Sequence, residues 1–199
     1  MSDTLDEARA ALRQRQGAGA RYDADNAPAR ELDWARRGTA YFARLLNGLS
    51  DADLDAPSRL DGLSRCHIVA HVGYHARTLS RVASWARHGA GQPMPHPMPV
   101  DADDTAARAT QPARALRNLF AHSAVHLNVE WRDLETTHWD AVVTDNEGHS
   151  LAVRDTPWLR ARAVWLHAID LGAGGRLADA PTGLAARLPQ KRTAMLMNL

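Results

Sequence analysis

Apolar residues recur every three or four positions in four stretches of the chain, a spacing that places them on one face of an α-helix. Asn26 is available to cap the first helix, and Pro28 suits its first turn. Asn47-Gly48 and Gly172 are typical helix end signals. The pattern therefore predicts four amphipathic helices, with the following bounds: residues 28 to about 47, 65 to about 88, about 116–131, and 156–171.

Two segments between these helices have other patterns. Residues 141–144 and 150–153 are short alternating runs around DNEG, which predicts a β-hairpin. Residues 89–104, GAGQPMPHPMPVDADD, contain too many prolines for a helix and are expected to cross the surface. We therefore predict an all-α fold, a four-helix bundle with a small β-hairpin before the fourth helix.

The predicted bundle occupies only part of the chain. A polar arm at residues 1–27 precedes it, the bundle itself covers residues 28–175, and a short tail covers residues 176–199. Within the tail, only residues 184–188 are expected to be structured. No internal repeat and no glycine-rich phosphate loop is present in the sequence.

Composition narrows the classes of function. The chain has 199 residues, of which 45% are hydrophobic and 24% charged, as in soluble globular proteins. Its formal net charge of +1 argues against nucleic acid as a partner, and no apolar run is long enough to cross a bilayer. The first residues lack the apolar core of a signal peptide, and the one cysteine, Cys66, suits a reducing compartment. We expect a cytoplasmic protein; its oligomeric state is left open.

Histidines are the residues that suggest chemistry. His167 shares one face of the fourth helix with Arg160, Ala163 and Asp170, and His71 lies beside the apolar stripe of the second helix. Imidazoles from two packed helices can share a divalent ion. From spacing alone, however, the simpler explanation is two core histidines that each hydrogen-bond to a neighbour. Further histidines also occur at four-residue steps: His67, His71 and His75 on the second helix, and His122 and His126 on the third.

Three segments resemble the mycothiol-dependent maleylpyruvate isomerase family, whose N-terminal domain is a DinB-like four-helix bundle. They are SRLDGLSRCHIVAHVGYHA at residues 58–76, ALRNLFAHSAVHLNVEWRD at 115–133 and TPWLRARAVWLHAIDLGA at 156–173. The last is the most specific, because the family pattern there resembles R-x-R-E-V-W-x-H-A-x-D-L. The likeness extends over about residues 31–175, in the same order.

The resemblance implies a divalent metal, usually zinc, held by a histidine of the second helix and a Glu-x-x-x-His pair of the fourth. The histidines correspond to His71 and His167, but the glutamate position holds Ala163. Without that carboxylate, two neutral imidazoles leave half of a tetrahedral zinc shell to water. His75, one turn beyond His71, is a possible replacement for the third ligand. A degenerate site without metal is the alternative.

The resemblance also implies a reaction, the thiol-dependent cis–trans isomerisation of maleylpyruvate to fumarylpyruvate in gentisate degradation. The thiol would be mycothiol or glutathione. Arg160 is the candidate for holding a substrate carboxylate, whereas Arg162 is expected to be solvated. Asp170 could orient a ligand histidine or cap a nearby donor.

Two other functions remain open at this stage. The first is a non-catalytic, metal-poor bundle that binds a small molecule or a partner, and the second is a different metal-dependent thiol S-transferase.

Family members commonly continue into a C-terminal α/β domain, so either a partner subunit completes the pocket here or the bundle stands alone with an open cleft.

The remaining histidines, the cysteine and the tryptophans are expected to have structural roles. His67 has no metal role in the resemblance, and His122 and His126 are expected to be solvated or at the edge of the core. Cys66 is expected to be a small buried thiol. The tryptophans are expected to form core or pocket wall: Trp85, Trp131, Trp158 and Trp165.

Overall fold

The structure is a computed structural model that describes residues 23–89, 91–98 and 102–188. Most of the predicted polar arm at residues 1–27 therefore lies outside the described residues, as does the part of the predicted tail from residue 189 onward. No helix in the described ranges combines the length and apolarity that crossing a bilayer requires.

The described chain is mostly helical. The helices are α1 (Ala29–Asn47), α2 (Asp51–Leu54), α3 (Arg65–His88), α4 (Ala102–Ala109), α5 (Ala113–Asp133), α6 (Thr136–Trp139), α7 (Thr156–Asp170) and α8 (Thr182–Ala185). Strands β1 (Val142–Thr144) and β2 (Ser150–Ala152) form an antiparallel hairpin in which Val143 pairs with Leu151. Short 3₁₀ turns lie at Val153–Asp155 and Leu177–Asp179. The predicted all-α bundle with one hairpin before the last long helix is confirmed.

The four long helices pack in the order α1, α7, α3 and α5, so that α7 and α3 form the middle of the bundle. Glycines allow close approach at two of these contacts. A Cβ at Gly38 of α1 would lie 2.5 Å from Val164 of α7, and one at Gly73 of α3 would lie 2.6 Å from Leu119 of α5. Because α3 and α7 are central, the faces that they turn toward each other are removed from solvent.

Helix ends follow the capping signals closely in α3 and α7. Helix α3 begins at Arg65 after its N-cap Ser64 and ends at His88. Helix α7 carries proline in its first turn and is followed by Gly172 with a φ of +66°. The expected cap of α1 is wrong: Pro28 takes the N-cap position, and Asn26 instead donates to the carbonyl of Thr136 at 3.0 Å.

The proline-rich crossing is only partly as expected. Residues 93–98, which we call the strap, are not helical, but Met94 and Met98 of the strap are buried. Their N–H groups donate to the Thr144 carbonyl and the Asp145 carboxylate, both at 2.7 Å. The other strap residues are exposed, as predicted for a surface crossing. The prediction is wrong only for Met94 and Met98, because the hairpin supplies acceptors that allow them to be buried. Helix α4 begins at Ala102, inside the segment that was expected to be non-helical.

Candidate metal centre and adjoining cavity

Three histidines of the bundle interior lie close together. The rings of His71 on α3 and His167 on α7 have centroids 4.9 Å apart in an edge-to-face arrangement. The ring of His75, one turn along α3, lies 6.2 Å from that of His71. All three side chains are at most 3% exposed. The predicted convergence of His71 and His167 in the interior is therefore present.

An aspartate one turn away fixes the orientation of one histidine. Nδ1 of His167 lies 2.9 Å from Oδ2 of Asp170, and both residues are buried. A carboxylate can only accept, so Nδ1 carries the proton and Nε2 has the lone pair in the neutral ring. Carboxylate-to-histidine pairs of this kind orient metal-ligating histidines in many proteins. Asp170 therefore contacts His167 in the manner expected for orienting a ligand.

His75 is neutral at physiological pH. Complete burial, followed by the positive charge of Arg160, holds its pKa well below the usual 6.5. Its Nδ1 is buried and has no hydrogen-bond partner within residues 23–89, 91–98 and 102–188. A neutral imidazole is the form that ligates metal ions.

Among the described residues, no carboxylate joins the interior histidines in a group of three ligand atoms, as the glutamate implied by the resemblance would. Ala163 is buried one helical turn before His167 on the same face of α7, where a methyl group offers no ligand. The side chains of His71, His75 and His167 do not bring three ligand atoms within 4.8 Å of one another, whereas another group in the described chain does. His71 and His167 as zinc ligands, with His75 as the third, therefore stay a prediction.

The other group lies on the hairpin turn and was missed by the sequence analysis. Asp145, Glu147 and His149 have ligand atoms within 4.8 Å of one another. Oδ1 of Asp145 already accepts the N–H groups of Glu147 and His149, and Oδ2 accepts that of Met98. Burial raises the pKa of this carboxyl, but these hydrogen bonds outweigh it and lower the pKa to about 2. The arrangement explains how the carboxylate fixes the turn against the strap.

Arg160 is a buried cation next to the histidines. It is 1% exposed, and its Nη1 donates to the carbonyl of Val72 on α3 at 2.6 Å. Burial lowers its pKa to about 9, so that it stays protonated at neutral pH. In the part of the chain that the structure describes, Nη2 has no hydrogen-bond partner and no carboxylate forms an ion pair with the guanidinium. Arg162, expected to be solvated, is half-buried.

Arg160 also lines an open cavity of about 480 Å³ between α1 and α5. Most of the wall is apolar: Ala40, Ala43, Leu46, Phe120, Ala121, Ala124, Val125, Leu127 and Trp131. Arginine is the only charged residue type among its lining residues, at positions 36, 117, 132 and 160. The cavity was not predicted, because it depends on how closely α1 and α5 approach each other.

The remaining sequence predictions concern structural roles. Nδ1 of His67 lies 2.9 Å from Oγ of Ser64 at the start of α3, whereas His122 and His126 are exposed. Cys66 is buried, and burial together with Asp55 raises the pKa of its thiol. Trp131 and Trp165 are buried, whereas Trp85 and Trp158 are half-buried: all four belong to or pack against the core.

The fold and the interior histidines together define a class, that of four-helix bundles with imidazoles from two central helices turned toward each other. Within this class, residues 35–172 match the family described as the mycothiol maleylpyruvate isomerase N-terminal domain. The match covers more than half of the chain, and the protein belongs to this family.

Solved structures agree with this assignment. A crystal structure of the mycothiol-dependent maleylpyruvate isomerase aligns with a TM-score of 0.70 at 35% sequence identity, covering 78% of this chain and 65% of that one. A crystal structure of a histidine-to-alanine mutant of a mycothiol-dependent maleylpyruvate isomerase aligns equally well at 34% identity. The chain thus spans a little under two thirds of the length of these structures. Among curated proteins no significant match is found.

Proposed function

We propose that this chain acts as the bundle domain of a thiol-dependent cis–trans isomerase of the maleylpyruvate type. The convergence of His71 and His167, with Asp170 bound to His167, carries the proposal. It is supported by membership of the family and by the likeness to the solved isomerase structures. The substrate would be maleylpyruvate or a related cis-enoate, and the co-reactant a low-molecular-weight thiol.

The reaction requires a transient single bond. A thiolate adds to one alkene carbon and the electron pair moves onto the conjugated carbonyl oxygen. The resulting carbon–carbon single bond rotates, and expulsion of the thiolate restores the double bond in the trans form. No atom is gained or lost overall. A divalent ion would lower the pKa of the thiol and stabilise the negative charge on the substrate oxygen. Zinc is the divalent ion that best fits two imidazole ligands.

The residues of this chain supply positioning and charge. His71 and His167 would hold the ion, with Asp170 fixing the ring of His167, and His75 is the proposed third ligand. Arg160 would receive a substrate carboxylate, since its guanidinium is charged and no described carboxylate pairs with it. Burial of these groups lowers the local dielectric, so each electrostatic contact is stronger than in water.

Two observations favour a second function, that of a non-catalytic and metal-poor bundle. Ala163 replaces the carboxylate that the family pattern places one turn before His167, and the three histidines do not bring three ligand atoms within 4.8 Å. Loss of an anionic ligand lowers the affinity for a dication. In that case the protein would retain its pocket but not the isomerase reaction.

Metal content separates the two functions. We expect the purified chain, titrated with zinc, to bind about one ion. His71→Ala and His167→Ala should each lower the affinity for zinc. The loss should exceed about 10- to 100-fold, the range typical when a metal ligand loses only its hydrogen-bond partner. His122→Ala, which removes an exposed histidine of α5, is the matched control and should bind zinc like the wild type. Equal zinc affinity in all four proteins would show that the ion is held elsewhere.

Restoring the carboxylate tests the reaction itself. Ala163→Glu should raise zinc affinity at least tenfold and raise the rate of maleylpyruvate isomerisation, assayed separately with mycothiol and with glutathione. Ala168→Glu offers a carboxylate at another buried position of α7 and serves as the control, with folding checked by circular dichroism. If Ala163→Glu gains neither affinity nor rate while remaining folded, the residues proposed for the metal site are the wrong ones.

A further inference from the structure

The cavity between α1 and α5 has two features that do not follow from the isomerase reaction. Nine of its lining residues are apolar, and its volume of about 480 Å³ lies within the range of small-molecule sites. A short dicarboxylate such as maleylpyruvate needs little apolar wall. The lining therefore points to a ligand with a substantial apolar body.

The charge of the cavity is one-sided. Four arginines line it and no aspartate or glutamate does. Two of them are engaged. Arg36 pairs with Asp23 and Asn128. Arg117 pairs with Asp51 and with the carbonyls of Leu46 and Leu49, at and just beyond the end of α1. Arg132 is exposed at the cavity edge. The lining thus complements a ligand that carries negative charge.

Arg160 supplies the built-in anchor. A buried cation is unfavourable unless it is paired, and the Val72 carbonyl satisfies Nη1 of Arg160 but carries no full negative charge. Nη2 has no hydrogen-bond partner among the residues that the structure describes. Nη2 is closed off from water in this conformation, so a ligand carboxylate at the inner end of the cavity reaches it only when the guanidinium turns toward the cavity. The carboxylate would then provide both the missing acceptor and the missing negative charge.

We propose that this cavity binds a monocarboxylate with an apolar body, such as a medium-chain fatty acid or an aryl-alkanoate, with its carboxylate at Arg160 and its apolar body between α1 and α5. The inference rests on the proposed function only in that Arg160 is common to both. It assigns to the cavity a ligand more apolar than maleylpyruvate. Binding is independent of any metal or thiol, because no histidine of the interior lines the cavity.

The test is direct binding to the metal-free full chain, followed by the fluorescence of its tryptophans, one of which, Trp131, lines the cavity. Octanoate is expected to bind at least about tenfold more tightly than octan-1-ol, which lacks the charge, and than maleate, which lacks the apolar chain. If octan-1-ol binds as tightly as octanoate, Arg160 is not the anchor. If maleate binds more tightly, the cavity is a dicarboxylate site and the apolar inference is wrong.

Two variants and a control locate the site. Arg160→Met and Ala124→Phe should each weaken octanoate binding at least about tenfold, the first by removing the charge and the second by filling the cavity while leaving Arg160 in place. Val129→Phe introduces the same aromatic ring at a position of α5 outside the lining and should bind like the wild type. If Arg160→Met unfolds and Ala124→Phe does not, octanoate binding by Ala124→Phe still tests the proposal. Octanoate binding that survives Ala124→Phe would overturn the proposal.

The outcomes separate this inference from the proposed function. Zinc binding by His71 and His167 can fail while octanoate binding persists, which would leave a metal-free carboxylate-binding bundle. Conversely, zinc binding and isomerisation with no octanoate binding would keep the isomerase proposal and refute the present one.

Discussion

At the scale of single residues, the bundle interior carries polar groups that a purely structural core would avoid. Three histidines and one arginine lie between α3 and α7 with exposures of 3% or less. The contacts that satisfy them are few and specific, such as Asp170 to His167 and Arg160 to the Val72 carbonyl. Burial makes each of these hydrogen bonds expensive to lose, because water cannot replace the missing partner.

The hydrogen bond between Asp170 and His167 is the clearest example of a buried contact that is costly to lose. Asp170→Ala should lower the free energy of unfolding by about 1–3 kcal/mol, because Nδ1 of His167 stays buried and loses its acceptor. Asp170→Asn keeps an acceptor oxygen and should lose less. Urea unfolding with a chelator present measures this without any contribution from metal. Asp61→Ala, at an exposed position, is the control, and an equal loss in both would contradict the role of Asp170.

The lowered pKa of Asp145 predicts that the free energy of unfolding depends on pH. Its pKa of about 2 lies below the usual 3.8, so the folded state binds the proton more weakly than the unfolded chain does. Its stabilising contribution is therefore fully present above about pH 4 and is lost as the pH falls toward 2. Stability of the wild type should decline over this window more steeply than that of Asp145→Asn, when both are followed by urea unfolding at successive pH values. Asp61→Asn should decline like the wild type; a parallel decline in Asp145→Asn would show that another carboxyl is responsible.

At the scale of elements, the sequence predicts those features whose causes are local. The start of α3 after Ser64 and the end of α7 before Gly172 follow from capping residues within one turn. The burial of Met94 and Met98 in the strap could not be predicted, because the acceptors of their N–H groups belong to the hairpin some fifty positions later in the chain. Within the site, too, features with local causes are predictable and features that depend on long-range packing are not. His71 and His167 stand out by sequence pattern, whereas the Arg160 contact with Val72 depends on the register of α7 against α3.

Close helix packing gives a prediction at this scale. Gly38→Ala should lower the free energy of unfolding by about 1–3 kcal/mol, because the added methyl group would lie 2.5 Å from Val164 and from Nε1 of Trp165. This loss exceeds the gain of up to about 1 kcal/mol that alanine brings to a helix. Gly48→Ala, where the nearest atom is 3.4 Å away, should change the stability by no more than about 0.5 kcal/mol in the same urea titration. Similar values for the two variants would mean that α1 does not approach α7 as closely as described.

At the scale of the whole molecule, the loosest side of the bundle is the one between α1 and α5, which holds the cavity. Helices α1 and α5 meet through the rings of Phe42 and Phe120, 5.1 Å apart, and through two arginines that reach across. Arg36 donates to Asn128 and Arg117 to carbonyls at the end of α1. Because long polar side chains span this side, space remains between the helices, and that space is the cavity that opens next to Arg160. The same looseness that creates a binding site makes this side the one most easily opened.

Arg117 therefore controls how firmly α1 is held. Its Nη1 and Nη2 donate to the carbonyls of Leu46 and Leu49 at 2.8 and 2.6 Å, and its Nε to Asp51 at 2.8 Å. Arg117→Met should lower the free energy of unfolding by about 1.5–3 kcal/mol, as expected for hydrogen bonds from a charged donor. It should also speed amide hydrogen exchange at the end of α1 more than in α3 or α7. Arg114→Met, three residues earlier on the exposed face of α5, should change neither quantity. If exchange rises uniformly across the bundle instead, α1 and α5 open only with the whole fold, and the loosely packed side is no weaker than the rest.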